Sequence, residues 1–174
     1  MLVPAHTFIA TWLAIEAVGA VPVPIEPSND SYLPSCKDYI DRILDGASAV
    51  IVVHLYGQLD DLTPLKEKCT QLNIPLIEDA AQAHGARISG VGCGQFGKLA
   101  AFSFYPGKNL GAFGDAGGIA TDDDALAEKL RSLRNYGSKI RYNHDQKGLN
   151  TRLDELQEDQ EVKGVVKNIT DYGV

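Results

Sequence analysis

The chain has no apolar run near the roughly 20 residues that a membrane-spanning helix needs. Its start, MLVPAHTF, lacks the basic and long apolar regions of a secretion signal. It has no block of Lys and Arg either: 16 basic against 23 acidic residues give a net charge of −7. That balance speaks against nucleic acid or an anionic membrane surface as the main partner. Cysteine is scarce. Cys36, Cys69 and Cys93 are odd in number, far apart and in no CxxC pair, so neither a disulfide framework nor a structural zinc site is expected, and a reducing cytoplasm fits. His6, His54, His84 and His144 show no i, i+4 pairing and no carboxylate at metal spacing, so no metal is expected. What is left is an acidic globular chain of 174 residues, 44% hydrophobic, enough for one domain with a real core.

The apolar period switches repeatedly between strand and helix. Thr7 suits the N-cap of a helix over 8–18, with Phe8, Trp12 and Ile15 on one stripe and Gly19 as its stop. GAVPVPIEP reads as a short strand closed by turn residues, and 35–45 as a modest helix. Ala49–Tyr56 is an unbroken apolar run, as a strand buried on both faces should be. A helix follows, with Thr63 as cap, Pro64 at its first position and Leu65, Cys69 and Leu72 at i, i+4, i+7. Ile74–Ile77 is then a second apolar strand running into Glu78 and Asp79. Strand, helix, strand implies a parallel pair with a right-handed crossover. Further strands are expected over 99–104 and 118–121, and a helix with Asp122 to Asp124 at its start, Leu126, Leu130 and Leu133 as its stripe and Gly137 at its end. The class is α/β with a mostly parallel sheet and flanking helices.

GCGQFG at 92–97 matches GxGxxG, but it precedes LAAFSFYPG, a strand ending at a proline. A dinucleotide fingerprint follows a strand and opens a helix, so the match is set aside, and with it a reductase or dehydratase of that type. His54, inside an apolar strand, reads as a satisfied core histidine. Ligands collect at the carboxyl ends of strands in α/β sheets, and IPLIEDAAQAHGA puts Glu78 and Asp79 at such an end. An Asp there also suits a helix cap. Lys108 ends another strand, in FSFYPGKNLGAFGDAGG, among glycines that allow close approach. A lysine desolvated at a strand end can act as a neutral amine and form a Schiff base. With a carboxylate on a second strand end, this is the pairing that pyridoxal phosphate requires: one group holds the aldehyde, the other the protonated ring nitrogen. A surface lysine in a glycine loop is the plainer alternative.

Over VPAHTFIAT (3–11), HLYGQ (54–58), IEDAAQAHGA (77–86), AFSFYPGKNLGAFGDAGG (101–118), LRNYGS (133–138) and NTRLDELQ (150–157), the chain resembles the DegT/DnrJ/EryC1/StrS family of nucleotide-sugar aminotransferases. The resemblance implies the large domain of a fold type I pyridoxal-phosphate transferase. It implies Lys108 as the Schiff-base lysine and proton carrier, Asp79 as partner of the ring nitrogen and Gln82 at the ring hydroxyl. It further implies Ser103 as a phosphate ligand, Phe8 stacked on the ring, and Asn150 reaching the phosphate of a neighbouring subunit, hence a homodimer. The expected reaction moves an amino group from an amino acid, glutamate by expectation, to a nucleotide-linked keto-deoxysugar, 3-keto favoured over 4-keto. The family begins upstream with a glycine-rich turn and continues after LDELQ into a long apolar helix and a small domain, whereas EDQEVKGVVKNITDYGV follows here. A partial cofactor-binding domain over 1–157 is therefore expected, with the C-terminal small domain absent and a divergent tail, open to disorder, over 158–174. The second reading is an inactive remnant or binding module of the same fold.

Overall fold

A computed structural model of the protein describes residues 1–29, 31–140, 142–151 and 169–172. The chain divides into two units, 1–100 and 101–174.

The first unit contains strands β1 (Leu2–Pro4), β2 (Val23–Ile25), β3 (Val50–Val53), β4 (Leu76–Asp79), β5 (Arg87–Ile88) and β6 (Val91–Gly92), with helices α1 (Ile9–Ala17), α2 (Cys36–Ile43) and α3 (Thr63–Gln71). Strands β4, β3, β1 and β2 lie side by side in that order, every pair parallel, with Val50 opposite Leu76 and Val53 opposite Asp79. The expected crossover through α3 is thus present. Along β3 the side chains alternate between two cores: Val50 and Val52 pack with Leu65, Cys69, Tyr39 and Leu76, while Ile51 and Val53 pack with Val3 and Ile15. That two-sided burial is why the strand carries no polar residue.

Three local expectations shift. Thr7 does not cap α1; its hydroxyl bonds Thr11 instead, and Phe8 stands at the cap position without a side-chain bond. Thr63 is the first residue of α3 rather than its cap, because Asp61 Oδ1 already accepts the Thr63 N–H. Leu72 follows the last turn of that helix and is exposed. Helix α2 starts as a serine signal should, with a reciprocal capping box between Ser35 and Asp38.

Strand β7 (Leu99–Ser103) runs across the boundary between the units. The second unit adds β8 (Gly117–Ala120), α4 (Asp124–Arg134), β9 (Ser138–Ile140), β10 (Asn143–His144) and β11 (Ile169–Tyr172). β11 pairs antiparallel with β8, Tyr172 opposite Gly117. The tail expected over 158–174 lies outside the described residues except for β11. Asp123 caps α4 through Leu126 N–H at 2.9 Å. The helix buries Ala127, Leu130 and Ser132, so of the expected leucines Leu130 is buried while Leu126 and Leu133 are half-buried at its edges.

Gly137 ends this region with φ +75, and a Cβ there would stand 1.7 Å from the Gln146 carbonyl oxygen. Gly137→Ala is expected to cost about 2–4 kcal/mol through strain and overpacking, read as a lowered melting temperature; an unchanged melt would show that the β9–β10 hairpin has room to move.

Candidate functional site

The expected site residues fall into one set in each unit, and each set has its own geometry. In the first unit Asp79 is the last residue of β4, half-buried. Its Oδ1 accepts the Ala81 N–H at 3.1 Å, and its Oδ2 accepts the Thr11 hydroxyl at 2.7 Å. No helix follows Asp79, so it caps none; the bond to Ala81 closes a local turn. The Thr7 and Thr11 hydroxyl oxygens lie 2.9 Å apart. Thr11 has one hydroxyl proton and gives it to Asp79, so Thr7 must be the donor of this second bond. Phe8 precedes α1, accepts the Thr11 N–H on its carbonyl and leaves its ring 70% exposed. Gln82 is fastened too, its Oε1 accepting the Tyr56 N–H at 2.7 Å. Tyr56 sits at φ +57 in a single turn after β3 and meets Tyr32 and His6 edge to face. Phe8, Asp79 and Gln82 are therefore held in place by their own unit. The sequence marks Thr7 only as a helix cap and does not single out Thr11. The available signal was two hydroxyls four residues apart in HTFIAT, one just before the helix and one in its first turn.

Glu78, one residue before Asp79, points the other way and is fully buried. His54 Nε2 lies 2.8 Å from its Oε2, Gly94 N–H donates to Oε2 at 2.8 Å, Phe96 N–H to Oε1 at 2.8 Å, and Gly97 N–H also to Oε1. The GCGQFG loop is thus an anion-binding nest, filled by the protein's own carboxylate. His54 is satisfied in the core as expected. Burial alone would raise the Glu78 carboxyl, but the His54 bond and the Gly97 and Gly94 N–H groups outweigh it and hold it below the ordinary glutamate range. At Gly97 a Cβ would stand 2.9 Å from the Leu76 carbonyl oxygen, so that glycine serves packing against β4.

In the second unit Ser103 ends β7, half-buried, and its Oγ accepts the Tyr105 N–H at 3.3 Å. Lys108 is half-buried rather than fully desolvated within its unit, and its N–H donates to the Tyr105 carbonyl at 2.8 Å. Gly111 is buried, and a Cβ there would meet the Pro106 carbonyl oxygen at 2.6 Å. The loop's own backbone therefore takes the clearance that the sequence suggested for a ligand at this glycine. Phe104, Leu110, Ala112 and Ala116 form the small core beneath the loop. Asn150 is exposed and its backbone bridges Asn135. Among the described residues no group of three His, Cys, Asp or Glu could hold a metal ion, and no helix is long and apolar enough to cross a membrane.

The profile of the DegT/DnrJ/EryC1/StrS aminotransferase family matches residues 1–158. Over 159 residues the chain is 50% identical to the dTDP-3-amino-3,4,6-trideoxy-alpha-D-glucose transaminase of Streptomyces venezuelae, covering 90% of this chain and 41% of the relative. Among solved structures, S. venezuelae DesV in complex with a ketimine intermediate superposes with a TM-score of 0.82 at 50% identity, over 87% of this chain and 41% of that one. NtdA of Bacillus subtilis with bound cofactor PMP superposes with a TM-score of 0.78 at 28% identity, over 87% of this chain and 35% of that one. The chain spans less than half the length of these relatives.

Proposed function

The chain belongs to the DegT/DnrJ/EryC1/StrS aminotransferase family, and on that premise we propose that it carries the cofactor-holding part of a pyridoxal-phosphate-dependent sugar aminotransferase. The donor set fits that cofactor. Asp79 has each carboxylate oxygen engaged once and an acceptor direction left on each. Gln82 spends its oxygen on Tyr56 and keeps its amide N–H groups for an acceptor. Lys108 Nζ has no hydrogen bond or ion pair among the described residues. Pyridoxal phosphate, when bound, supplies an electron sink for charge that develops on the substrate carbon.

In this reading the residues divide the work. Asp79 accepts a hydrogen bond from the ring nitrogen, Gln82 donates to the ring hydroxyl, Phe8 covers a ring face and Ser103 donates to the phosphate. Lys108 would hold the aldehyde group through Nζ, and the same amine, when free, would serve as the proton carrier. Asn150 reaches a phosphate held by a second subunit, so the working form is a homodimer. The amino group comes from an amino acid, glutamate in this proposal, and passes to a nucleotide-linked keto-deoxysugar. A 3-keto substrate is favoured because the 50% identical relative is named for a 3-amino sugar.

The observation that carries the reading is the aimed Asp79 carboxylate at the end of β4. Purified protein titrated with pyridoxal 5'-phosphate should develop a visible absorbance band, and added glutamate should then bleach it. No band in folded protein overturns the reading. A band that ignores glutamate and other amino donors overturns the transfer step and leaves a cofactor-binding module.

A further inference from the structure

We propose that Thr11, with Thr7 behind it, positions Asp79 toward the ring nitrogen of a bound heteroaromatic cation; this rests on the reading of Asp79 just given. A carboxylate at a strand end turns easily, because the last torsion of an Asp side chain is broad. Here two donors from two different segments hold it: Ala81 N–H on Oδ1 and Thr11 Oγ1 on Oδ2. Each oxygen keeps one acceptor direction, and the two fixed bonds limit where a third donor can stand.

Packing does not explain Thr11. The residue is 7% exposed in a helix whose other buried residue is Ile15, and valine has nearly the same shape without a polar group to satisfy. A buried hydroxyl is costly unless bonded, and among the described residues the side chains bonded to this one are Asp79 and Thr7. The β-branch restricts the Thr11 rotamer, and the Thr7 proton, donated to Thr11 Oγ1, leaves the Thr11 proton no direction but Asp79. The result is a one-way relay, Thr7 to Thr11 to Asp79, ending on the atom that would face the ligand.

The test uses two probes: pyridoxal 5'-phosphate and its analogue with CH in place of the ring nitrogen. Affinities of both are measured by absorbance titration for wild type, Thr11→Val, Thr11→Ser and Thr7→Ala, after thermal melting of each apo protein. Thr11→Val is expected to weaken pyridoxal 5'-phosphate about 10- to 100-fold, the range for a hydrogen bond to a charged group, and to leave the analogue within about twofold. Thr11→Ser, which keeps the hydroxyl, should bind both probes nearly as wild type does. Thr7→Ala should give a smaller loss of about 3- to 10-fold, again for the nitrogen-bearing probe alone, and it decides the matter if Thr11→Val does not fold. The inference is overturned if neither Thr11→Val nor Thr7→Ala weakens the true cofactor, or if both probes weaken equally, which is the mark of a merely structural role. A wild type that binds the two probes alike overturns the Asp79 reading itself, and that outcome is distinct from the others.

Discussion

Glu78→Ala is expected to cost the first unit about 5 kcal/mol, enough to unfold most of it. The carboxylate is fully buried and serves four donors: His54, Gly94, Phe96 and Gly97. Removing it leaves those donors without an acceptor, and each unsatisfied buried group costs about 1–3 kcal/mol. Breaking a buried pair by deleting one partner typically costs about 3–5 kcal/mol on its own. A whole domain is stable by only about 5–15 kcal/mol. Urea unfolding followed by circular dichroism reads the loss, and a change below about 1 kcal/mol would show that the loop finds other partners.

Acid acts on the same group. The folded Glu78 carboxyl lies below its unfolded value, so its contribution is complete above the ordinary glutamate range, about pH 4.3. It is lost as pH falls through that range toward the lower folded value. Glu78→Gln should flatten this part of the acid limb, at the cost of a lower plateau near neutrality.

Lys108→Ala is expected to remove the visible band with pyridoxal 5'-phosphate altogether and to leave the melting temperature of the apo protein nearly unchanged. The side chain is half-buried with no bonded partner among the described residues, so folding gains little from it. The proposed chemistry depends on it twice, for the covalent bond and for the proton. General acid–base help alone is worth roughly 10²–10⁴ in rate, and loss of the covalent step adds to that. Lys108→Arg should fail equally, because a guanidinium stays protonated and is no nucleophile. A band that survives in Lys108→Ala would move the cofactor bond to another amine and end the assignment.

Much of the fold was legible because burial dictated it. The apolar run over 49–56 placed β3, which stops at Val53, just before His54 bonds Glu78, and the aspartates before an apolar period had to open α4. Asp79 was legible as a strand-end carboxylate, and His54 as a core residue. What escaped were choices between competing hydrogen bonds. Thr7 is an ordinary cap in the sequence, yet its hydroxyl serves Thr11, because a nearer acceptor chain leads to Asp79. Asp61 pre-empts Thr63 in the same manner. The glycines of 92–97 read only as a misplaced dinucleotide match, yet their loop binds an anion, Glu78, which lies 14 or more residues away in sequence. Gly111 signalled clearance, without saying that Pro106 would occupy it. In each case the composition named the bond type, and only the tertiary arrangement named the partner.

The alternation along β4 carries one more consequence. Glu78 and Asp79 are chemically near-equivalent neighbours on opposite faces of one strand, one closing a loop and the other held by Thr11 and Ala81. Their division of labour is written in the parity of the strand alone. A deletion of one residue within 76–77 would shift the pair by one position, putting the shorter aspartate at a nest it cannot fill, Ala80 opposite the threonine relay and the glutamate two positions short of it. A frame slip in this strand therefore disables both faces at once, where a substitution touches only one.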